Sequence, residues 1–351
     1  MSTLEDCNLV LLSRSNLNSE GSISKSTSLR LVRGVEPDAE SIQPYLTIVV
    51  VAYRHENYIE ECLASINSTS IESLELIVID DGSPDKTLLK CLDFQFRLGI
   101  KVRVYTKLNQ GLVHSLFSGL ELAKGRYLSF MASDDLYVKG GLESALNYLQ
   151  HSKSSVNALL CQAIALESNE KTRLVYGSMM DKFFSGTPFE RFDLICTLPP
   201  SPMLLQATIF GTAFLRSLKP WADNLALDDW PTFIRLFAAE AHHAAVVRYE
   251  PTLKLCIYRI NEEGLHNNLD RQLQITAQVA TLFVPLRYRK ICLANATIGN
   301  GLIHIYEGRW GKGAAIFLRG FLINPSFSVF GRLSNRALKF LQKRFRIAIN
   351  R

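Results

Sequence analysis

"YLTIVVVAYRHENYIEECLASI" (residues 45–66) is the stretch that decides the fold. Its first nine residues are almost continuously apolar and rich in β-branched side chains, the mark of a strand buried on both faces. A strand with one wet face would alternate instead. Tyr58, Ile59, Cys62, Leu63 and Ile66 then recur at helical spacing. The stretch therefore reads as a strand, a polar turn and a helix.

Working outward, the unit repeats. "LELIVID" (74–80) is a second strand, after which Ser83 and Pro84 stand in cap and first-turn order for a short helix. "KVRVYT" (101–106) is a third strand. A helix with Leu112, Val113, Leu116, Phe117 and Leu120 on its apolar face follows, closed at Gly125. "RYLSFM" (126–131) is a fourth strand. Strands alternating with helices at this pitch predict a parallel α/β sheet, whose ligands sit beyond the carboxyl ends of the strands.

Those ends are polar. Strand one runs into Ala52, Tyr53, Arg54, His55 and Glu56, strand two into Asp80, Asp81 and Gly82, and strand four into Ser133, Asp134 and Asp135. Adjacent carboxylates repel unless a cation lies between them. Hard oxygen donors with few His or Cys nearby favour Mg2+ or Mn2+, shared with substrate phosphates. The competing reading, Asp as a turn or cap residue, fits either pair alone but not both together beside an aromatic. The turn "AYRHENY" has no glycine, and no G-x-x-x-x-G-K-[ST] occurs. The site lacks a glycine cradle, which points to a nucleoside diphosphate neutralised by a metal on Asp135. Tyr53 could then stack a base and Asp81 could accept from a base N–H.

Three segments, "TIVVVAYRHENYIEECLASI", "LELIVIDDGSPDKT" and "LNQGLVHSLFSGLELAKGRYLSFMASDD", resemble the family 2 glycosyltransferases. The resemblance implies a GT-A fold, Rossmann-like with a mostly parallel sheet flanked by helices, over residues 45–268. It implies donor contacts from Ala52, Tyr53, Glu56, Asp81, Asn109, Gly111 and Asp134, and metal ligation by Asp135 with Asp134. Ser133 and Ala132 stand where members often add a carboxylate, so one ligand fewer is expected. The resemblance also implies a catalytic base in "ALDDWPTFIRLF" (226–237), assigned to Asp229 with Asp228 as the alternative; a plain helix cap competes for that pair. "LCIYRINEEGLHNN" (255–268) resembles the closing segment of the family with Asn261 in place of a His, leaving Arg259 or His266 to face the diphosphate.

Inverting transfer of a sugar from a nucleoside-diphosphate sugar, UDP foremost, to a glycan or lipid-linked acceptor in surface polysaccharide synthesis is what the resemblance implies. A silent GT-A scaffold and a sugar nucleotidyltransferase are the alternatives; the latter would want a Gly-rich, basic turn after strand one.

The remainder is bounded more coarsely. The chain has 351 residues and a formal charge of +6. Residues 1–44 are Ser-rich and aperiodic, and read as a flexible lead-in. Residues 269–351 read as helical, with one half of a helical hairpin at 308–326. Between Arg332 and Arg351 lie seven Lys or Arg and no acid, in a pattern that puts the bases on one helical face. That pattern suits an anionic membrane surface or a solvated helix face, and the lack of a stacking platform argues against nucleic acid. Seven scattered cysteines without a C-x-x-C fit a reducing compartment. No apolar run approaches the ~20 residues of a membrane span. A cytoplasmic protein at the inner face of the membrane is the expectation.

Overall fold

The computed structural model describes residues 29–36, 43–197, 203–260 and 269–324. The chain divides into two compact units, one built from residues 1–191 and 202–262, the other from 192–201 and 263–351.

In the first unit the described strands are β1 (Arg30–Arg33), β2 (Leu46–Ala52), β3 (Leu74–Asp80), β4 (Ile100–Thr106), β5 (Tyr127–Ala132), β6 (Leu136–Tyr137), β7 (Ala158–Leu166), β8 (Thr172–Leu174), β9 (Thr208–Gly211) and β10 (Val247–Arg259). They form one sheet in the order β1-β4-β3-β2-β5-β9-β7-β10-β6, with β8 on β7. The four strands legible in the sequence make its parallel heart, β4-β3-β2-β5. Every residue of β2 and β3 is buried, as continuous apolar runs require.

Antiparallel strands extend this heart. β9 bridges β5 to β7, β6 pairs with β10, and β1 pairs with β4. β1 lies inside the stretch that reads as a lead-in. Arg33 fixes it by donating from Nη1 to the carbonyls of Cys91, Leu92 and Phe94, at 2.8–3.1 Å.

The helices of this unit are α1 (Ile59–Asn67), α2 (Thr87–Asp93), α3 (Leu112–Leu122), α4 (Gly141–His151), α5 (Ser178–Ser185), α6 (Pro188–Thr197, which runs on into the second unit), α7 (Thr212–Leu218) and α8 (Asp229–Ala241). Four of the five residues read at helical spacing, Ile59, Cys62, Leu63 and Ile66, are buried in α1, and Tyr58 caps it, half-buried. Two helix ends differ from the sequence reading. α2 starts at Thr87, where Asp85 Oδ1 accepts from Thr87 N and Oγ1, so Ser83 and Pro84 belong to the preceding turn. α3 ends at Leu122, ahead of Gly125.

Register aligns the strand ends. Ala52 pairs with Asp80, and Val51 with Ala132. The ladder continues one step further, with Asp81 N donating to Ala52 O and Ser133 N to Val51 O. Tyr53, Asp81 and Ser133 therefore leave the sheet along one rim.

The second unit contains α9 (Leu269–Phe283), α10 (Leu286–Tyr306) and α11 (Trp310–Ile323). The hairpin half expected at 308–326 is α11, and α10 is its partner. Glycines set how closely they approach. A Cβ on Gly301 would lie 2.6 Å from Phe317 N, and one on Gly313 2.7 Å from Gly301 O.

Candidate active site

Asp135 lies in the turn between β5 and β6. The β6–β10 pairing brings β10 back beside it, and Arg259 N donates to Asp135 Oδ1 at 2.8 Å. Gln206 Nε2 donates to Asp135 Oδ2 at 2.9 Å. Both oxygens are thus oriented, each with a lone pair to spare. The side chain is almost wholly buried. Burial, and secondarily the charge of Asp134, pushes its carboxyl up to about 7.

Asp229 opens α8. Its Oδ1 accepts from Leu205 N at 3.0 Å. Leu205 and Gln206, consecutive residues of a short 3-10 turn ahead of β9, therefore hold Asp229 and Asp135 respectively. Asp228 occupies the cap position of α8, without a capping hydrogen bond from its side chain. Its backbone is fixed instead. Trp221 Nε1 and Thr232 Oγ1 both donate to Asp228 O, at 3.0 and 2.8 Å, and Trp221 packs edge-on against Phe130 of β5.

Both carboxyls keep some solvent contact, yet protein surrounds them. Burial raises Asp228 to about 6. Burial and then the charge of Asp228 carry Asp229 well above the usual carboxylate range. Tyr258, pushed up to about 12 chiefly by its own burial, also feels Asp135, Asp134, Asp229 and Asp228. The four carboxylates drawn from two distant stretches of sequence converge on one end of the sheet.

The donor set suits a hard divalent cation. It offers two adjacent carboxylates, one of them raised first by its burial and then by its like-charged neighbour, and a positive charge would relieve both costs. Among the described residues no group of three or more His, Cys, Asp or Glu converges as a complete cage.

Other predicted donor contacts fall around this rim in different states. Tyr53 stands at the end of β2 with its ring exposed. Asp81 is buried and already engaged: Oδ1 accepts from Lys107 Nζ and from Gln110 N, and Oδ2 from Gly111 N at 2.8 Å. One lone pair on Oδ2 remains for a base N–H. Gly111, at φ +89°, is what lets the loop turn its N–H onto that oxygen. Asn109 is an exposed residue of the same loop.

Glu56 Oε2 accepts from Lys86 N, fixing the turn before α2. Arg259 is likewise occupied. Its guanidinium donates to Asp134 O at 2.7 Å, pairs with Glu61 and lies over the Tyr58 ring. It braces the Asp134–Asp135 turn, where the sequence points to a diphosphate ligand. His266 and the basic stretch 332–351 lie outside the described residues.

Sequence reasoning missed three participants. Gln206 and Leu205 sit in "TLPPSPMLLQATIF", where a lone polar Gln in an apolar run was the only signal. Lys107, with its side chain fully buried against Asp81, had no signal. His55 was visible at a strand end, and its Nδ1 lies 2.7 Å from Ser133 Oγ and 3.8 Å from Asp134 Oδ1.

A parallel heart with acidic strand ends and an antiparallel bridge strand defines the class: the fold is that of the GT-A glycosyltransferases. Residues 47–210 match the family model described as glycosyl transferase family 2. Among curated relatives, an uncharacterised glycosyltransferase of Haemophilus influenzae is 35% identical over 108 residues, 30% of this chain and 33% of its own. The Bacillus subtilis minor teichoic acid biosynthesis protein GgaB is 30% identical over 113 residues, 32% of this chain and 13% of its own. The chain therefore spans a third or less of these two relatives.

Among solved structures, S. aureus TarS 1-349 in complex with UDP-GlcNAc superposes with TM-score 0.51 at 19% identity, covering 81% of this chain and 91% of that one. The mannosyltransferase PcManGT of Pyrobaculum calidifontis, in complex with GDP-Man and Mn2+, gives TM-score 0.53 at 18% identity, covering 88% and 83%. At these identities the likeness is one of fold.

Proposed function

We propose that the protein transfers a sugar from a nucleoside-diphosphate sugar to an acceptor hydroxyl with inversion at the anomeric carbon. The observation that carries the reading is the pairing of Asp135 and Asp229 through the adjacent residues Gln206 and Leu205. One carboxylate is suited to the leaving group and the other to the incoming hydroxyl.

In this mechanism Asp229 takes the proton of the acceptor O–H as that oxygen bonds to the anomeric carbon. The bond from that carbon to the β-phosphate oxygen breaks, and the nucleoside diphosphate departs with the electron pair. Asp229 suits the base role because burial and the charge of Asp228 raise its pKa, which makes it a stronger base than an ordinary carboxylate. Asp134 and Asp135 would hold Mn2+ or Mg2+, which supplies Lewis-acid stabilisation of the departing diphosphate. Gln206 and the Arg259 backbone N–H keep Asp135 aimed, and Arg259 braces the turn that carries it. Tyr53 and the open lone pair of Asp81 would receive the base. Holding donor and acceptor in line contributes much of the remaining acceleration.

The acceptor is placed in surface polysaccharide synthesis (O-antigen, capsule or exopolysaccharide), a reading supported by the name of the GgaB relative. The basic stretch 332–351 suits a lipid-linked acceptor at the cytoplasmic face of the membrane. UDP is the first donor to try, since TarS was solved with UDP-GlcNAc.

The test is product analysis with a panel of UDP- and GDP-sugars and Mn2+. Release of nucleoside diphosphate that depends on the metal supports the reading. Release of pyrophosphate would mean nucleotidyl transfer, and tight nucleotide binding with no turnover of any donor would mean a silent scaffold.

A further inference from the structure

Helix α11 is buried on one side only. Gly313 and Gly320 are its buried residues, and they seat it against α10. At about 100° per residue, Trp310, Ala314, Ala315, Leu318 and Leu322 fall on a single arc, and all five are exposed. The large ones are strongly so: Trp310 69%, Leu318 57% and Leu322 73%. A contiguous apolar face of this kind costs solubility unless something covers it.

The charge around it identifies what does. From Gly308 to Arg351 there are ten Lys or Arg and no Asp or Glu. The other 307 residues hold twenty-nine bases against thirty-three acids, so the chain's positive excess lies wholly in this segment. Of the bases at this helix, Arg309 pairs with Glu307 and Lys312 with Asp270; the excess of bases that the sequence of this segment carries, next to an exposed apolar face, fits a surface that is apolar within and anionic at its boundary. No described helix is long and apolar enough to cross a membrane.

We propose that the exposed face of α11 docks flat on an anionic lipid bilayer, with Trp310, Leu318 and Leu322 entering the headgroup boundary. Bases of residues 309–351 engage the acidic headgroups. The docking element is thus larger than the basic stretch 332–351 and starts at Trp310.

Trp310 reports on this directly. The chain has three tryptophans, and Trp221 and Trp230 are buried. The full chain is mixed with vesicles of phosphatidylglycerol or of phosphatidylcholine. Flotation and tryptophan emission are then read for the wild type and for the Leu318→Ser/Leu322→Ser variant. Both substituted residues are exposed, and size exclusion checks that the variant keeps its fold.

The expected result is flotation with phosphatidylglycerol alone, a blue shift and quenching by brominated lipid, and release by high salt. The variant should partition about tenfold more weakly or worse. Equal flotation of variant and wild type, or a Trp310 environment unchanged by lipid, would overturn the proposal. So would a blue shift that follows protein concentration without lipid, which would assign the face to a second copy of the chain. None of these outcomes depends on sugar transfer, so failure here leaves the transferase reading standing.

Discussion

Asp229 and Asp135 carry the chemistry because their surroundings make them unlike ordinary carboxylates. Each is raised chiefly by burial, and each has a neighbouring Asp that raises it further. For the base, the sign is plain. A raised pKa means that Asp229 is protonated, and idle, at pH values where a free carboxylate would already be ionised. The Asp228–Asp229 pair titrates as a unit. Activity at saturating metal should therefore fall as pH drops, with an acid limb well above the roughly 4 of an unperturbed Asp. Asp229→Asn should lower kcat by roughly 10²–10⁴ while leaving donor binding intact. A profile flat down to about pH 4.5, or near-normal turnover in the variant, would remove Asp229 from the proton transfer.

At the level of elements, the two carboxylates are joined by the 3-10 turn at Leu205–Ala207. A backbone N–H holds one and a side-chain amide holds the other, so a shift of this turn moves both ends of the site together. Gln206→Leu removes the donor on Asp135 Oδ2 without removing any acid. The expected outcome is roughly 10–100-fold weaker metal activation with a smaller change in kcat at saturating Mn2+. A variant with an unaltered metal requirement would show that Gln206 merely fills space.

Legibility also divides at this level. β2, β3 and β5 are readable because burial leaves nearly continuous apolar runs, and β4 because Val102, Val104 and Thr106 alternate with other residues in a strand-like run. α1 is readable because its buried residues keep one helical face. The 3-10 turn, β9, β6 and β1 are short, and what they pair with is decided by distant strands. No local pattern encodes that. The N-terminal stretch reads as a lead-in for the same reason: four residues, one exposed and three half-buried, carry no period, yet Arg33 ties them to the end of α2.

Across the whole molecule, chemistry-bearing residues were legible where the sheet itself delivers them to its rim. Asp80, Asp81, Asp134 and Asp135 follow strands whose register is set by apolar runs, so their place could be foreseen. Their partners could not. The sequence offers Asp81 and Arg259 as ligands for a nucleotide. In the fold, Asp81 is clasped by Lys107 and two loop amides, and Arg259 is spent on Asp134, Glu61 and Tyr58. Long polar side chains find partners through tertiary contacts, which sequence spacing does not record. Charge shows the opposite case. The split between a mildly acidic body and a wholly basic end is complete in the sequence, but which surface it serves emerges only with the exposed face of α11.

The central claim is that the rim of the sheet divides its labour, Asp135 for the cation that steadies the diphosphate and Asp229 for the acceptor proton. Electron paramagnetic resonance of Mn2+ titrated into the protein with UDP, for wild type, Asp135→Asn and Asp229→Asn, separates the two roles in one measurement. The account predicts stoichiometric binding in wild type and Asp229→Asn and its loss in Asp135→Asn. Mn2+ bound equally well by Asp135→Asn, or lost from Asp229→Asn alone, would contradict it.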